Sequence, residues 1–208
     1  MVCNLHTHTP SLQAITDRSA ELSLLPAPQL QSVGIHPWYA DTADFEIVEA
    51  LAADPLVAAV GEAGFDRLRG PAAVVQRDVF RRQATLASRV GKPLIIPCVK
   101  SSDMLYEEHR NLRPDVPWVV HGFRGKPQEA EALLKRGIGL SLGPRFNVAT
   151  AAMIPDGSLF IETDDDPTAD IERVAALVGA ARGCTGAEIM ALSVANIQRV
   201  CPAVKVLV

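Results

Sequence analysis

The chain has 208 residues, of which 48% are hydrophobic and 21% are charged. This length and composition are typical of a single soluble globular domain spanning residues 1–208. The net charge of −4 and the isoelectric point near 5.7 argue against a dedicated nucleic-acid-binding protein, although an enzyme that grips one phosphate locally remains compatible with them.

The four cysteines show no paired CxxC spacing, which favours a reducing compartment over a disulfide framework. No apolar run approaches 18 residues, and the N-terminus has no basic region of the kind that begins a signal peptide. We therefore expect a cytoplasmic protein with no membrane-spanning segment.

Short apolar runs alternate with helical patterns along the chain, which indicates successive β-α units. The predicted strands are Val2–His6, Ser11–Ile15, Gln31–Ile35, Val57–Gly61, Pro93–Cys98, Trp118–His121, Gly139–Leu142 and Ser158–Glu162. The predicted helices are Thr42–Ala53, Ala73–Val90, Ser102–Asn111, Pro127–Arg136, Thr168–Ala181 and a last helix from Thr185 to about Val200. The last helix begins with a capping-box pattern, Thr185 followed by Glu188.

Eight strands with intervening helices predict an α/β fold, a compact (β/α)8 TIM-type barrel. The segment Thr7–Ser11 is too short for a helix, so this barrel would lack its first one. Parallel neighbours usually need a long crossover, so the second strand could instead run antiparallel to the first.

Two histidines, His6 and His8, stand at the end of the first predicted strand. Residues i and i+2 of a strand point to the same side, so both imidazoles can reach one divalent metal, at about 2.0–2.1 Å from each nitrogen. Taken alone, His-x-His is a weak signal.

Four more polar residues, His36, Glu62, His121 and Asp164, end or follow later predicted strands. The active site of an α/β barrel lies at the C-terminal ends of its strands. A buried carboxylate without a partner is costly, and a divalent cation would relieve that cost for Glu62 and Asp164 together. The pattern therefore predicts a metal site on this rim.

The ordered set of motifs resembles the TatD-type metal-dependent deoxyribonucleases, part of the amidohydrolase-like barrel group. The matching segments are His6-Thr7-His8, Gly34-Ile35-His36-Pro37, Val60-Gly61-Glu62-Ala63-Gly64-Phe65-Asp66, Lys92-Pro93-Leu94-Ile95-Ile96, His121-Gly122-Phe123-Arg124-Gly125, Glu162-Thr163-Asp164-Asp165, Gln83 and Asn196. The resemblance spans essentially the whole chain, which looks like a compact member.

The resemblance implies that His6, His8, Glu62 and Asp164 bind one metal and that Glu62 bridges to a second metal held by His121. The family's other second-metal histidine should end the fifth strand, where this chain has Pro97, which cannot ligate anything. A second metal would then bind weakly, or only with the substrate phosphate present. The cofactor implied is a divalent ion such as Zn, Mn or Mg.

The resemblance also implies hydrolysis of DNA phosphodiesters by a metal-activated water, with Asp164 and Glu62 as catalytic residues. Asp164 would take the proton from the water. The candidate substrate-binding residues are His36, Arg124 and Lys100. Each could instead be an ordinary residue of the rim, either solvated or hydrogen-bonded, with no role in substrate binding. Lys126 and Arg145 have the same status, while Glu162 could orient a ligand. Trp38 and Tyr39 could stack on a base, or simply pack in a loop.

Two other functions stay open at this point. Related His-x-His barrels hydrolyse amides, lactones or other phosphate esters, so the substrate could be another ester or an amide. Alternatively, Pro97 could mark a degenerate homologue that binds metal without turnover. The partner expected on the first reading is DNA or another phosphoester substrate.

Overall fold

The computed structural model, which describes residues 1–205, contains eight parallel strands closed into a barrel. The barrel strands are β1 (Asn4–Thr7), β2 (Ala14–Asp17), β3 (Gln31–Val33), β4 (Val57–Val60), β6 (Leu94–Ile96), β8 (Trp118–Val120), β9 (Gly139–Leu142) and β10 (Leu159–Ile161). Two short strands, β5 (Phe65–Asp66) and β7 (Cys98–Val99), pair beyond the ends of β4 and β6. The predicted compact (β/α)8 barrel is confirmed.

Helices connect most of the strands and cover the outside of the barrel. They are α1 (Phe45–Leu51), α2 (Ala73–Val90), α3 (Ser102–Leu112), α4 (Pro127–Leu134), α5 (Val148–Met153), α6 (Ile171–Arg182) and α7 (Gly186–Val200). Short 3₁₀ turns cover Pro37–Tyr39, Asp156–Ser158 and Pro202–Lys205. As expected, no helix joins β1 to β2, and within residues 1–205 none joins β2 to β3 either.

The second strand runs parallel to the first, so the antiparallel alternative was wrong. The link between them has only six residues, 8–13. Six extended residues reach about 20 Å, which exceeds the length of a four-residue strand, so the chain can return to the start of β2 without a helix. The strand also lies two to three residues later than predicted, at Ala14–Asp17 instead of Ser11–Ile15.

Several other predicted boundaries were wrong. The predicted strand Pro93–Cys98 is divided at Pro97 into β6 and β7, because proline has no N–H to continue a ladder. The helix predicted from Thr42 begins after Asp44, and the helix predicted from Thr168 begins after Asp170. Each of these aspartates accepts a hydrogen bond from the backbone two residues later and so fixes the helix start. Helix α5 was not predicted at all.

The strand pleat separates two apolar layers. Leu94, Val120 and Leu159 belong to the outer core, which packs against the helices. Ile95, Val119 and Phe160 belong to an inner cluster that also includes Val200, at the end of α7, and Cys201 and Val204 after it. The inner cluster also holds residues that precede or begin strands, Val2, Leu30 and Ala58, so the C-terminal segment packs against the end of the barrel where the strands begin. The opposite end is left for polar groups.

Within residues 1–205, no single helix is long and apolar enough to cross a membrane. The pair α6 and α7 passes the same length and composition test only when the two are taken together, across a bend of 105°.

A buried side-chain amide fastens α2 to the end of β3. Gln83 Oε1 accepts a hydrogen bond from the backbone N–H of Ile35 at 2.6 Å, and its Nε2 donates to the Ile35 carbonyl at 3.0 Å. Gln83 and Ile35 are both buried. The amide therefore satisfies the backbone N–H and C=O of Ile35, which a neighbouring strand would otherwise pair with. This contact sets the position of the next residue, His36.

Replacing Gln83 with leucine is expected to lower the free energy of unfolding by roughly 2 to 6 kcal/mol, because an unpaired buried polar group costs about 1 to 3 kcal/mol and two are created. Urea unfolding followed by circular dichroism measures the change. Thr85→Leu, on the exposed face of the same helix, is the matched control and should shift stability by less than about 0.5 kcal/mol. Equal effects of both variants would contradict the role of Gln83.

Candidate metal centre

The C-terminal ends of the barrel strands bring three histidines and two carboxylates together. Glu62 lies at the middle of the group, with His121 Nε2 at 2.8 Å from its Oε1. Its Oε2 lies 3.7 Å from His8 Nε2, and its Oε1 lies 3.9 Å from His6 Nε2. Asp164 Oδ1 completes the group at 3.5 Å from His6 Nε2 and 3.8 Å from His8 Nε2.

The strand pleat explains why His121 and a further carboxylate, Glu162, face inward. His121 and Glu162 each come two residues after an inward-facing apolar residue, Val119 and Phe160 respectively. Alternate residues of a strand share a face, so the same face that carries the inner core carries the polar groups at the end of the barrel.

The donor set fits a divalent cation. Ligand atoms of His6, His8 and Asp164 lie within 4.8 Å of one another, and so do those of His6, Glu62 and His121. Within the described part of the chain, both ring nitrogens of His6 and of His121 are buried without a hydrogen bond of acceptable geometry. Buried polar atoms are nearly always satisfied, and a metal ion would satisfy one nitrogen of each ring.

Asn4 ties the first strand to the segment that carries Asp164. Its Nδ2 donates to Thr163 Oγ1 at 2.8 Å, and its Oδ1 accepts from the Thr163 backbone N–H at 3.3 Å. The backbone of His6 and His8 then brackets Asp164, since His6 O accepts from Asp164 N and His8 N donates to Asp164 O, each at 3.1 Å. Asp164 itself adopts a left-handed backbone conformation with φ of 57°. Aspartate tolerates that region better than most residues do.

Two glycines shape the segment around Glu62. A side-chain carbon on Gly61, which has φ of 153°, would lie 2.7 Å from the Ile95 carbonyl oxygen, and one on Gly64 would lie 2.0 Å from that of Pro97. Only glycine allows the backbone to come this close to the neighbouring strand. The close approach holds Glu62 at the mouth of the barrel.

The electrostatics keep both carboxylates ionised. Burial acts to raise the pKa of Glu62, but the adjacent imidazoles, His121 first, hold it well below its usual range. Burial likewise acts against ionised Asp164, yet the contact with His6 and the charge of His121 lower its pKa to about 2. In the protein without metal, the two carboxylates and the imidazoles therefore stabilise each other's charged forms.

His36 approaches the same centre from the end of β3, but one of its ring nitrogens is already hydrogen-bonded. Its Nδ1 accepts a hydrogen bond from the Trp38 backbone N–H at 3.2 Å. A neutral imidazole that accepts at Nδ1 carries its proton on Nε2, so this side chain presents a donor and not a lone pair. Burial lowers the pKa of His36, which favours the neutral form. Its Nε2 lies 3.9 Å from Glu62 Oε1.

Two clefts open onto the cluster. One, of about 440 Å³, is lined by His8, His36, Trp38, Tyr39, Glu62, Arg124, Arg145 and Asp164 among others. The other, of about 500 Å³, is lined by Lys100, His121, Arg124 and Asp164 among others. Arg124 is exposed and lines both clefts, whereas Lys100 lines only the larger one. Of the three predicted substrate-binding residues, His36 and Arg124 thus line the smaller cleft, and Arg124 and Lys100 line the larger one.

Pro97 also lines both clefts, beside His121. It follows Ile95 by two residues and so occupies an inward-facing position, where it supplies no ligand. The neighbouring Cys98 does not replace it, since its Sγ lies 3.5 Å from Ser101 Oγ, on the other side of the strand.

The carboxylate of Glu162 lies behind His121, with Oε1 at 3.5 Å from His121 Nδ1. Glu162 is fully buried, and its Oε1 also accepts from the Gly122 backbone N–H at 2.5 Å. Metal-binding histidines usually have such a carboxylate behind them, as the sequence suggested here.

Sequence reasoning missed a second buried carboxylate, Asp17. It ends β2, its Oδ2 lies 3.8 Å from His8 Nδ1, and it is 2% exposed. The signal was weak, because Thr16 separates Asp17 from the apolar pair Ala14-Ile15, and the predicted strand ended two residues too early and left Asp17 in a loop.

The model of one protein family, TatD-related DNase, matches residues 2–201 of the chain. Among curated proteins, the chain is 31% identical over 152 residues to the uncharacterized metal-dependent hydrolase YjjV of Escherichia coli. It is 31% identical over 154 residues to the 3'-5' ssDNA/RNA exonuclease TatD of Citrobacter rodentium. These alignments include 66% and 64% of this chain but only 58% and 56% of the relatives, so the chain spans little more than half of their length.

Two solved structures share the fold. The crystal structure of Escherichia coli YjjV superposes with a TM-score of 0.77 at 24% identity, covering 91% of this chain and 86% of that one. A TatD-family hydrolase from Entamoeba histolytica gives a TM-score of 0.70 at 17% identity, covering 83% and 74% of the two chains.

The geometry around His121 predicts how the metal-free protein responds to pH. Burial alone would lower the pKa of His121, but the carboxylates of Glu162 and Glu62 outweigh it and hold the pKa well above 6.5. A histidine whose pKa is raised on folding stabilises the protein below 6.5, and that stabilisation is lost as the pH rises through the folded-state pKa. In chelator, the free energy of unfolding should therefore fall as the pH rises above 6.5.

Urea unfolding at several pH values between 6 and 9 measures this trend, with Glu162→Gln as the comparison. The substitution removes one carboxylate from beside His121. The free energy of unfolding of the variant should therefore change less with pH over this interval than that of the wild type. Parallel curves for both proteins would show that Glu162 does not act on His121.

Proposed function

The chain belongs to the TatD-related DNase family, and on this premise we propose that it is a metal-dependent hydrolase that cleaves phosphodiester bonds in DNA. The proposal rests on one observation above all, the convergence of His6, His8, Glu62 and Asp164 at the mouth of the barrel. The relative from Citrobacter rodentium carries the name of a nuclease that acts on single-stranded DNA and RNA, which supports a nucleic-acid substrate.

The same four side chains would hold one divalent cation. When bound, such an ion lowers the pKa of a coordinated water toward about 7 and offsets the negative charge of a phosphate. Two imidazoles and two carboxylates suit Zn or Mn, while Mg would favour the oxygen ligands. We propose one tightly held ion, with a second held weakly, or only with substrate, near Glu62 and His121.

Asp164 and Glu62 are the catalytic residues in this proposal. The contact with His6 holds the pKa of Asp164 low, so its carboxylate is ionised at neutral pH. We assign it the proton that the attacking water gives up because it is the more accessible of the two carboxylates. Its partly exposed side chain faces both clefts, whereas Glu62 is almost fully buried at the centre of the imidazoles. Glu62 therefore holds the cluster together, and Asp164 is accessible to substrate.

The clefts present positive and hydrogen-donating groups for the phosphates. His36 presents Nε2–H to the smaller cleft, and the exposed Arg124 stands where the two clefts meet. An arginine can hold a phosphate through two parallel hydrogen bonds. Lys100, in the larger cleft, is placed for a phosphate further along the strand. A nucleic acid would thus lie across both clefts with the scissile phosphate over Asp164.

Cleavage of labelled single-stranded DNA tests the proposal. Wild-type protein supplied with Mn²⁺ or Zn²⁺ should cleave, and chelator should stop the reaction. His6→Ala should slow cleavage by more than the 10- to 100-fold that loss of an outer partner of a metal ligand typically costs.

His109→Ala is the matched control, because His109 lies on α3 against Trp118 and away from both clefts that meet at the cluster. Its activity should equal that of the wild type. Metal binding without any cleavage of DNA would contradict the nuclease proposal and direct the search to another ester or an amide.

Pro97→His tests the proposal of a weak second ion. Position 97 faces the barrel interior beside His121, so an imidazole there would complete the second ligand set. We expect the tightly bound metal to rise from one toward two equivalents and the cleavage rate to rise with it. Metal analysis after gel filtration, together with the DNA assay, measures both.

Pro97→Ala is the control, because it also restores a backbone N–H but adds no ligand. If the histidine and alanine variants bind the same amount of metal, position 97 does not limit the second ion.

A further inference from the structure

Packing alone does not explain why a carboxylate, that of Asp17, is buried at the end of β2. It ends β2, next to the strand that carries His6 and His8, and only 2% of the residue is exposed. A buried charge needs compensating contacts, and these contacts show what a carboxylate does at this place.

Four donors surround the Asp17 carboxylate. Its Oδ2 accepts from the backbone N–H and the hydroxyl of Ser19 at 3.0 and 2.6 Å, and its Oδ1 accepts from the Ser32 hydroxyl at 3.3 Å. The fourth donor is the backbone N–H of Glu62, at 3.2 Å from Oδ1. These donors offset the cost of burying the carboxylate.

The last of these contacts links Asp17 to the centre of the cluster. Glu62 carries the carboxylate that the imidazoles of His6, His8 and His121 approach. The hydrogen bond from the Glu62 backbone N–H to Asp17 fixes the backbone of Glu62 and so helps to position its side chain.

Asp17 also faces the outer nitrogen of His8. His8 Nδ1 lies 3.8 Å from Asp17 Oδ2, while His8 Nε2 lies 3.7 Å from Glu62 Oε2 and 3.8 Å from Asp164 Oδ1. For Nε2 to offer a lone pair, a neutral imidazole must carry its proton on Nδ1. A carboxylate beside Nδ1 favours that tautomer, as in the carboxylate–histidine pairs behind many metal ligands.

We propose that Asp17 is a positioning residue for the metal centre, which holds His8 with its proton on Nδ1 and Nε2 toward the ion, and holds the backbone of Glu62. This inference rests on the proposed metal site. Asp17 serves His8 as Glu162 serves His121, so each of these two imidazoles has a buried carboxylate behind it.

Zn²⁺ affinity, measured by competition with a chromophoric chelator, tests the role of Asp17. Asp17→Asn keeps the shape of the side chain but removes its charge and sets an amide against His8. We expect Zn²⁺ to bind about 10- to 100-fold more weakly with unchanged stoichiometry. Asp115→Asn, which makes the same charge change at an exposed site before β8, should bind as the wild type does.

Two results would overturn the inference. Affinity of Asp17→Asn within twofold of wild type would show that Asp17 does not support the site, and loss of a full equivalent of Zn²⁺ would show that Asp17 is itself a ligand. If wild-type protein binds no Zn²⁺, the proposed metal site itself fails, which the wild-type titration distinguishes from failure of the role of Asp17 alone.

A measurement on the wild type covers the case in which Asp17→Asn does not fold. Long-range ¹⁵N–¹H NMR of Zn²⁺-loaded protein reports which nitrogen of His8 carries the proton. A proton on Nδ1 supports the inference, and a proton on Nε2 would overturn it.

Discussion

The buried carboxylate of Glu62 brings the imidazoles of the site together. Four histidines from the ends of three strands, His6, His8, His36 and His121, have a nitrogen within 3.9 Å of one of its oxygens. A carboxylate this buried is unfavourable without positive partners, and buried imidazoles without acceptors are equally unfavourable. Each group therefore requires the others, and a divalent cation would satisfy Glu62, His6, His8 and His121 together.

The barrel holds the residues of this cluster in fixed positions. Hydrogen bonds from buried polar side chains fix the segments that carry the ligands: Asn4 joins β1 to the segment after β10, Gln83 holds the end of β3, and Asp17 holds Glu62. Gly61 and Gly64 allow the Glu62 segment to pass close to β6. The polar end of the barrel is thus built by paired polar contacts, while the other end is packed with apolar side chains.

Much of this arrangement could be predicted from the sequence, because apolar runs that end in histidine or an acid place those residues on the catalytic rim of a barrel. His6, Glu62, His121 and Asp164 come together as the pattern indicated. The pattern of apolar residues does not determine whether a strand after a short link runs parallel or antiparallel. The direction of β2 therefore stayed open, and so did the position of Asp17. Helix α5 has only six residues, Val148–Met153, which is too short for a clear helical period. The tautomer of His36 depends on the backbone N–H of Trp38, a contact that only the folded chain reveals.

If His6, His8, Glu62 and Asp164 hold one divalent ion, anomalous diffraction from crystals of the Zn²⁺-loaded protein will locate it. We expect a strong anomalous peak between these four side chains, with Nε2 of both histidines within about 2.0–2.1 Å of it. A zinc-loaded crystal with no peak among them, or with its zinc bound elsewhere on the chain, would show that they do not form the metal site.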